Sequence, residues 1–362
     1  MRRPRLLLSL ALTLSLLLCA ASLPAQKKKK NKNEEPKTEV LPLPPELPMA
    51  LAADTIGLDF HVSPLLTNGG LSVQIRESLN DLIRETRGET IIKLRAFVAG
   101  AGDARRVQAQ VSQIFSERKL PLPVLSIIQV GALGEERAGI VIEAVVSTRR
   151  TLNPNGLAFL AGEHSSSFTV ALKRLSESAS AASVAPANVL SCTCFTAQIE
   201  GYSSLRSTIQ AAFPKAAINV VQPLRNPVTY STSCEAIGQP AAPPAGGPLV
   251  WMKSARATLV NSPQLVFTGL QLTFGSFLDD AHEAFSRLQR AASTVQAGVE
   301  APVEVNAFSL DSYAGSALRK STTIPESTFH MQTIEGLPAV DASAGIEAIL
   351  APNISAPKTL PH

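Results

Sequence analysis

Val141-Ile142-Glu143-Ala144-Val145-Val146 places one carboxylate in the middle of an apolar run. A strand of that composition suits an interior, where a charge without a partner costs several kcal/mol. The glutamate therefore has a partner, a task, or an exposed strand around it. The pattern returns as Ser233-Cys234-Glu235-Ala236-Ile237-Gly238 and as Gly345-Ile346-Glu347-Ala348-Ile349-Leu350.

Aligning the three glutamates brings other positions into step. The strands L-R-A-F-V, C-T-C-F-T and V-N-A-F-S carry Phe97, Phe195 and Phe308. Eleven residues after each phenylalanine, inside a helical pattern, stand Gln108, Arg206 and Arg319. Leu133, Leu224 and Leu337 precede the glutamates by ten or eleven residues. Agreement at this many offsets argues for triplication.

Each copy has an upstream half. L-D-F-H-V-S-P-L precedes a helix over 71–86 with Leu71, Ile75, Leu79, Leu82 and Ile83 inward. G-L-A-F-L-A-G-E precedes an Ala/Ser-rich helix ending near Ala182. Gln264–Thr273 precedes a helix from about Phe277, with Ser276 as N-cap and Phe277, Ala281, Ala284, Phe285, Leu288, Ala291 and Val295 in one stripe. The unit is thus β-β-α-β-α-β-β. Two helices cover one face of its sheet, yet I-I-K-L-R-A-F-V and V-L-S-I-I-Q-V are apolar beyond one face. Three units can cover one another, so an α+β pseudo-trimer within one chain is expected: a barrel-like β core with helices outside. The units span 55–149, 150–239 and 252–352, with a Pro/Gly linker at 240–251 and a tail at 353–362.

The first unit, through I-K-L-R-A-F-V, V-Q-A-Q-V-S-Q-I-F, L-P-V-L-S-I-I-Q-V-G-A-L and I-V-I-E-A-V-V, resembles the Rid (reactive intermediate deaminase) superfamily of enamine/imine deaminases. The second resembles it through C-T-C-F-T, Y-S-S-L-R, F-P-K and S-C-E-A-I, and the third through Q-L-V-F-T-G-L-Q, G-L-P and G-I-E-A-I. The resemblance implies chorismate-mutase-like units, normally homotrimeric with ligand pockets between subunits, and hence three inter-unit pockets in a monomer here. It also implies an arginine two residues after a proline at the start of the fourth strand, where it grips a substrate carboxylate with a bidentate fork. The corresponding positions here are Leu125 after Pro123 and Ala216, with Lys215 one place away; no arginine lies between Pro325 and Leu337.

The glutamates Glu143, Glu235 and Glu347 are the catalytic candidates, either orienting water or ligand in a pocket or serving as structural groups at the seams. Gln108, Arg206, Arg319, Lys215 and Ser126 are the ligand-binding candidates, with Arg206 and Arg319 able to replace the missing anchor from the helix side. Three functions stay open: a degenerate binder of a small carboxylate or carbonyl-type metabolite, an enamine/imine deaminase, and a structural envelope module. No cofactor or metal motif is found. His282-Glu283 lacks the second histidine of a zinc protease, and Cys192-x-Cys194 lacks partners at ligand spacing.

The start of the chain reads as an export signal. Arg2, Arg3 and Arg5 precede an apolar run from Leu6 to Leu18, too short to span a bilayer at about 20 residues. Cleavage after Ala25 is expected, giving a periplasmic or secreted protein; Cys19 offers a weak lipidation signal. Residues 26–54, rich in lysine and then proline, read as a disordered tether whose Lys27–Lys32 run can touch an anionic membrane surface. Of the chain's 33 basic and 29 acidic groups, residues 40–362 hold 24 and 26, so the folded part has no basic excess for nucleic acid. Past the signal, Cys192, Cys194 and Cys234 remain, and Cys234 can pair with Cys192 or Cys194 in an oxidising compartment.

Overall fold

The computed structural model describes residues 45–100, 103–162, 164–227, 231–295, 301–326 and 328–352. The signal at 1–25, Cys19, the Lys27–Lys32 run and the tail at 353–362 lie outside the described residues. After β1 (Ala50–Asp54), the first unit contains β2 (Leu58–Val62), α1 (Leu71–Glu85), β3 (Thr90–Ala99), α2 (Arg105–Glu117), β4 (Val124–Val130), β5 (Ala132–Leu133) and β6 (Ile140–Ser147). The second contains β7 (Leu157–Leu160), α3 (Phe168–Ala181), β8 (Val184–Thr196), α4 (Tyr202–Ala212), β9 (Ala217–Gln222) and β10 (Thr232–Pro240). Then come β11 (Leu249–Met252), β12 (Ala257–Val260), β13 (Gln264–Thr268), β14 (Gln271–Thr273), α5 (Leu278–Ser293), β15 (Pro302–Ser309), α6 (Ser312–Lys320), β16 (Phe329–Thr333) and β17 (Ala344–Leu350).

One four-strand order recurs: β2-β6-β3-β4, β7-β10-β8-β9 and β13-β17-β15-β16, with β14 also on β17. In each, only the last pair is parallel. The register repeats as well. Arg95 lies opposite Glu143 and Ser126, Thr193 opposite Glu235 and Asn219, and Asn306 opposite Glu347 and His330. The triplication read from the sequence is therefore a triplication of strand pairing.

Each unit's two helices cover the outer face of its own sheet. In the first, Ile75, Leu79 and Leu82 of α1 and Val107, Val111 and Phe115 of α2 pack on Leu94, Ala96 and Ile142. Equivalent cores form under α3 with α4 and under α5 with α6. The inner faces of all three sheets build two further apolar clusters. One joins Phe60, Phe159, Phe267 and Ile349; the other joins Phe97, Phe195 and Phe308. Full burial of each such side chain contributes about 1.5–3 kcal/mol, and these clusters are what hold three sheets around one barrel-like centre.

Several expectations need correction. Ala50–Asp54, placed in the tether, forms β1 and pairs with β13 of the third unit. The linker at 240–251 contains the start of β11, and β12, assigned to the third unit, pairs with β7 of the second. The reason is edge protection. No strand precedes β7 in its own unit, so β12 covers that edge, which leaves the edge of β13 for β1. On α5, Phe277 is 78% exposed rather than part of the stripe. Ser276 is not the cap: the Phe277 N–H donates to Asp280 Oδ2 at 3.0 Å, an acidic side chain reaching back from the first turn.

Candidate functional site

Between the two apolar clusters lies a buried charged layer. It follows from two-residue strand periodicity: Lys93, Arg95 and Phe97 share one face of β3, and Glu304, Asn306 and Phe308 share the matching face of β15. The three recurring glutamates converge on Arg95. Its Nε donates to Glu143 Oε2 at 2.6 Å and its Nη2 to Glu235 Oε1 at 2.5 Å, while Nη1 lies 3.5 Å from Glu347 Oε1. Glu143 Oε1 also accepts from Thr193 Oγ1 and Asn219 Nδ2 of the second unit, at 2.6 and 2.7 Å. Lys93 Nζ donates to Glu347 Oε2 and to the Thr268 carbonyl, each at 2.7 Å, and lies 3.5 Å from Ser126 Oγ. Glu235 Oε2 meets His330 Nδ1 at 3.1 Å. One arginine thus hydrogen-bonds carboxylates of the first two units and ion-pairs with that of the third, and the glutamates occupy the seams.

The layer's titration follows from these contacts. Burial alone would raise Glu235, but Arg95 and then His330 outweigh it and hold the carboxyl at about 2. Burial would likewise raise Glu347, and Lys93 with Arg95 turns the shift downward. Burial would lower Arg95, and Glu143, Glu235 and Glu347 reverse this, keeping it charged. Glu304 is raised, first by burial and then by the nearby Glu235 charge.

Three seams radiate from this layer, and two of them open. Between the first and second units a cavity of about 870 Å³ is lined by His61, Ser63, Tyr202, Arg206, Lys215 and Asn219, among others. Arg206 Nη1 donates to the Ile218 carbonyl at 3.1 Å. Between the second and third units a cavity of about 300 Å³ is lined by His164, Glu235, Arg256, Arg319, Phe329 and His330, among others. Arg319 stacks 5.1 Å over the Phe329 ring and donates to the Ile324 carbonyl at 2.9 Å. The third seam is tight: Leu270 N donates to the Leu125 carbonyl at 3.4 Å, and a Cβ on Gly269 would stand 3.0 Å from that oxygen. Gln108 sits exposed on α2 and Ser126 lies buried in the charged layer. Arg206 and Arg319 touch none of the three recurring glutamates.

Strand register also corrects the anchor position in the second unit. Leu94 pairs with Leu125, Cys192 with Ile218 and Val305 with Phe329, so the equivalent residue is Ile218, not Ala216. The chain turns sooner after β9, where Gln222 Nε2 bonds the Leu224 and Arg225 carbonyls, and counting back from Leu224 overshoots. None of the three positions is an arginine. Lys93, Arg95, Glu304, Asn306 and His330 were not singled out from the sequence. Their signal was present: Lys93 and Glu304 stand four residues before their phenylalanines, Arg95 and Asn306 two before, and His330, like Ser126, 17 before its glutamate. Cys194 and Cys234 face each other across β8 and β10 and are joined by a disulfide of 2.08 Å. Cys192 is a buried free thiol, pushed upward by burial.

No family model matches the chain, and no curated protein matches it. Among solved structures, chorismatase is similar over 85% of this chain and 78% of its own, with 11% identity and a TM-score of 0.39. The E. coli YjgF gene product is similar over 29% of this chain and 94% of its own, with 22% identity and a TM-score of 0.23. A YjgF/YER057c/UK114-family protein from Mycobacterium tuberculosis is similar over 26% of this chain and 84% of its own, with 18% identity and a TM-score of 0.22. These likenesses are partial and of low identity; the threefold build is carried by the chain's own repeated strand order.

Proposed function

We propose that this protein is an exported, monomeric binding module that takes a small carboxylate or carbonyl-type metabolite in its inter-unit clefts. One observation carries the reading. The two seams that open each present an arginine at the same helix position, Arg206 and Arg319, whereas the seam belonging to Gln108 is closed. The cavity volumes suit small ligands, and a guanidinium within a cleft wall matches a carboxylate. Export is supported by the chain's start and agrees with the Cys194–Cys234 disulfide. The Lys27–Lys32 run would lie against an anionic membrane surface.

The test is a thermal-shift and calorimetric screen of pyruvate, 2-oxobutyrate and small amino acids against the wild type, Arg206→Gln and Arg319→Gln. A ligand at a hundred times its Kd adds about 2.7 kcal/mol. A shift in the wild type that one variant abolishes supports the reading; no shift with any carboxylate or carbonyl compound sinks it. The deaminase reading has one favouring observation, that Glu235 reaches the second cleft beside His330. Against it, a carboxyl held near 2 is a weak base at neutral pH. Ammonia release from 2-iminoacids, lost in Glu235→Gln, would establish it over the binding role.

A further inference from the structure

Four carboxylates of the charged layer, Glu143, Glu235, Glu304 and Glu347, face two basic side chains, Lys93 and Arg95. In their ordinary ionised forms, and with His330 neutral as an imidazole that ligates a metal must be, they leave two negative charges uncompensated in a buried setting, which is costly. Three groups gather where that excess lies. His330 Nδ1 is 3.1 Å from Glu235 Oε2 and 3.8 Å from Glu304 Oε1, and one ligand atom from each of the three lies within 4.8 Å of the others. Arg95 holds the other oxygen of Glu235, and Asn306 Nδ2 donates to Glu304 Oε1 at 3.0 Å. The Glu304 side chain is 8% exposed, and its second oxygen has no hydrogen bond among the described residues. That carboxylate faces an axial cavity of about 60 Å³, which Glu235 also lines.

We propose that Glu235 Oε2, Glu304 Oε1 and His330 Nδ1 bind a divalent transition-metal cation, zinc by ligand type, at the floor of the second cleft. Metal–ligand bonds of about 2.0–2.2 Å at tetrahedral angles separate ligand atoms by roughly 3.4 Å, between the two separations found here. One imidazole with two carboxylates suits zinc, while calcium takes about 6–8 oxygens. The ion's two positive charges would cancel the layer's excess. Glu235 and His330 also line the cavity between the second and third units, which supplies an entry path and leaves the fourth position toward the cleft. The proposal stands whether or not the clefts take a carboxylate.

The experiment uses the untagged full chain, stripped with EDTA and titrated with zinc chloride by calorimetry, with metal content measured after gel filtration. One zinc per chain and a rise in melting temperature are expected. Glu304→Gln and His330→Gln should each weaken binding about tenfold or more, while His282→Gln, on the outer face of α5, should not. Circular dichroism of the stripped variants establishes that they fold; Glu304→Gln removes an uncompensated charge and should fold at least as well as the wild type. If His330→Gln does not fold, Glu304→Gln alone decides. No retained zinc in the wild type, or wild-type affinity in Glu304→Gln, overturns the proposal.

Discussion

Arg95 Nη2 and Glu235 Oε1 stand 2.5 Å apart across the boundary between the first and second units, inside the charged layer. The pair is a structural joint: the same guanidinium also bonds Glu143 of its own unit and approaches Glu347 of the third. Chains that trimerise can repeat one residue at each seam, but a fused chain can let its units differ. Here the position of Arg95 is held by Thr193 and Asn306 in the other two units, so one arginine serves three glutamates.

Replacing Arg95 with methionine keeps the side-chain volume roughly constant and removes the cation that three buried carboxylates share, leaving Glu347 its Lys93 partner and Glu143 and Glu235 without an arginine or lysine. Breaking such a network by removing one partner costs about 3–5 kcal/mol, so Arg95→Met should lower the unfolding free energy from urea titration by that amount or prevent folding. Arg95→Lys retains the charge without the fork and should fall between. An unfolding free energy within about 1 kcal/mol of wild type would mean that the layer is more hydrated than its burial indicates.

Acid should unlock the layer. The folded carboxyl of Glu235 sits at about 2, against an ordinary value of 4.5, so the folded state holds that proton more weakly than the unfolded chain does. Its contribution, about 3 kcal/mol, is therefore complete above pH 4.5 and drains away as pH falls toward 2. Glu347 is shifted in the same direction by Lys93 and adds to the loss. Urea midpoints between pH 7 and 3 should fall less steeply in Glu235→Gln. Glu304 works in reverse: its folded value is raised, so its contribution is present below 4.5 and is lost as pH rises. Glu304→Gln measured without metal should thus be more stable than wild type at pH 7.

How far the fold could be read depended on which residues repeat. The phenylalanine and glutamate offsets carried the units, because a repeated strand pairing requires a repeated spacing. The exchange of β1 and β12 between units carries no such signal: alternation shows which face of a strand is buried, not which neighbour hydrogen-bonds its edge. The charged layer was half legible. The glutamates stand out against apolar neighbours, whereas Lys93 and Arg95 sit in a strand whose apolar residues dominate the pattern. The clefts were out of reach, because a seam opens or closes on backbone separations such as that between Leu270 and Leu125, which no spacing reports.

The disulfide gives a prediction independent of charge. Cys194 and Cys234 are 40 residues apart and tie β8 to β10, the central strands of the second sheet. Closing a loop of that length stabilises by about 2–4 kcal/mol. Reduction, or the double change Cys194→Ala and Cys234→Ala, should lower the melting temperature, with Cys192→Ala as a control of small effect. Unfolded without reductant, the chain beyond residue 25 should show a single reactive thiol, that of Cys192; three would exclude the bond.

The strand exchange makes the first described strand indispensable to the last unit. Residues Ala50–Asp54 run antiparallel along the whole of β13, from Gln264 to Thr268, and Ala50 packs into the core beneath α5 and α6. Removing everything before Thr55 takes nothing from the sheet of the first unit. It exposes the β13 edge of the third, an open edge that invites pairing with another chain. This truncation and a cut before Ala50 both remove Leu47 from the first unit's core and the Pro45 carbonyl that accepts from Ser112 Oγ. Relative to the cut before Ala50, the truncation should therefore destabilise the third unit selectively, seen as faster hydrogen exchange in β13 and β17, and should drive dimers or larger species in gel filtration. If the strand were only tethering sequence, cutting before Ala50 and cutting before Thr55 would give the same protein. The shorter cut is expected to leave a stable monomer, and the difference between the two cuts measures what those five residues contribute.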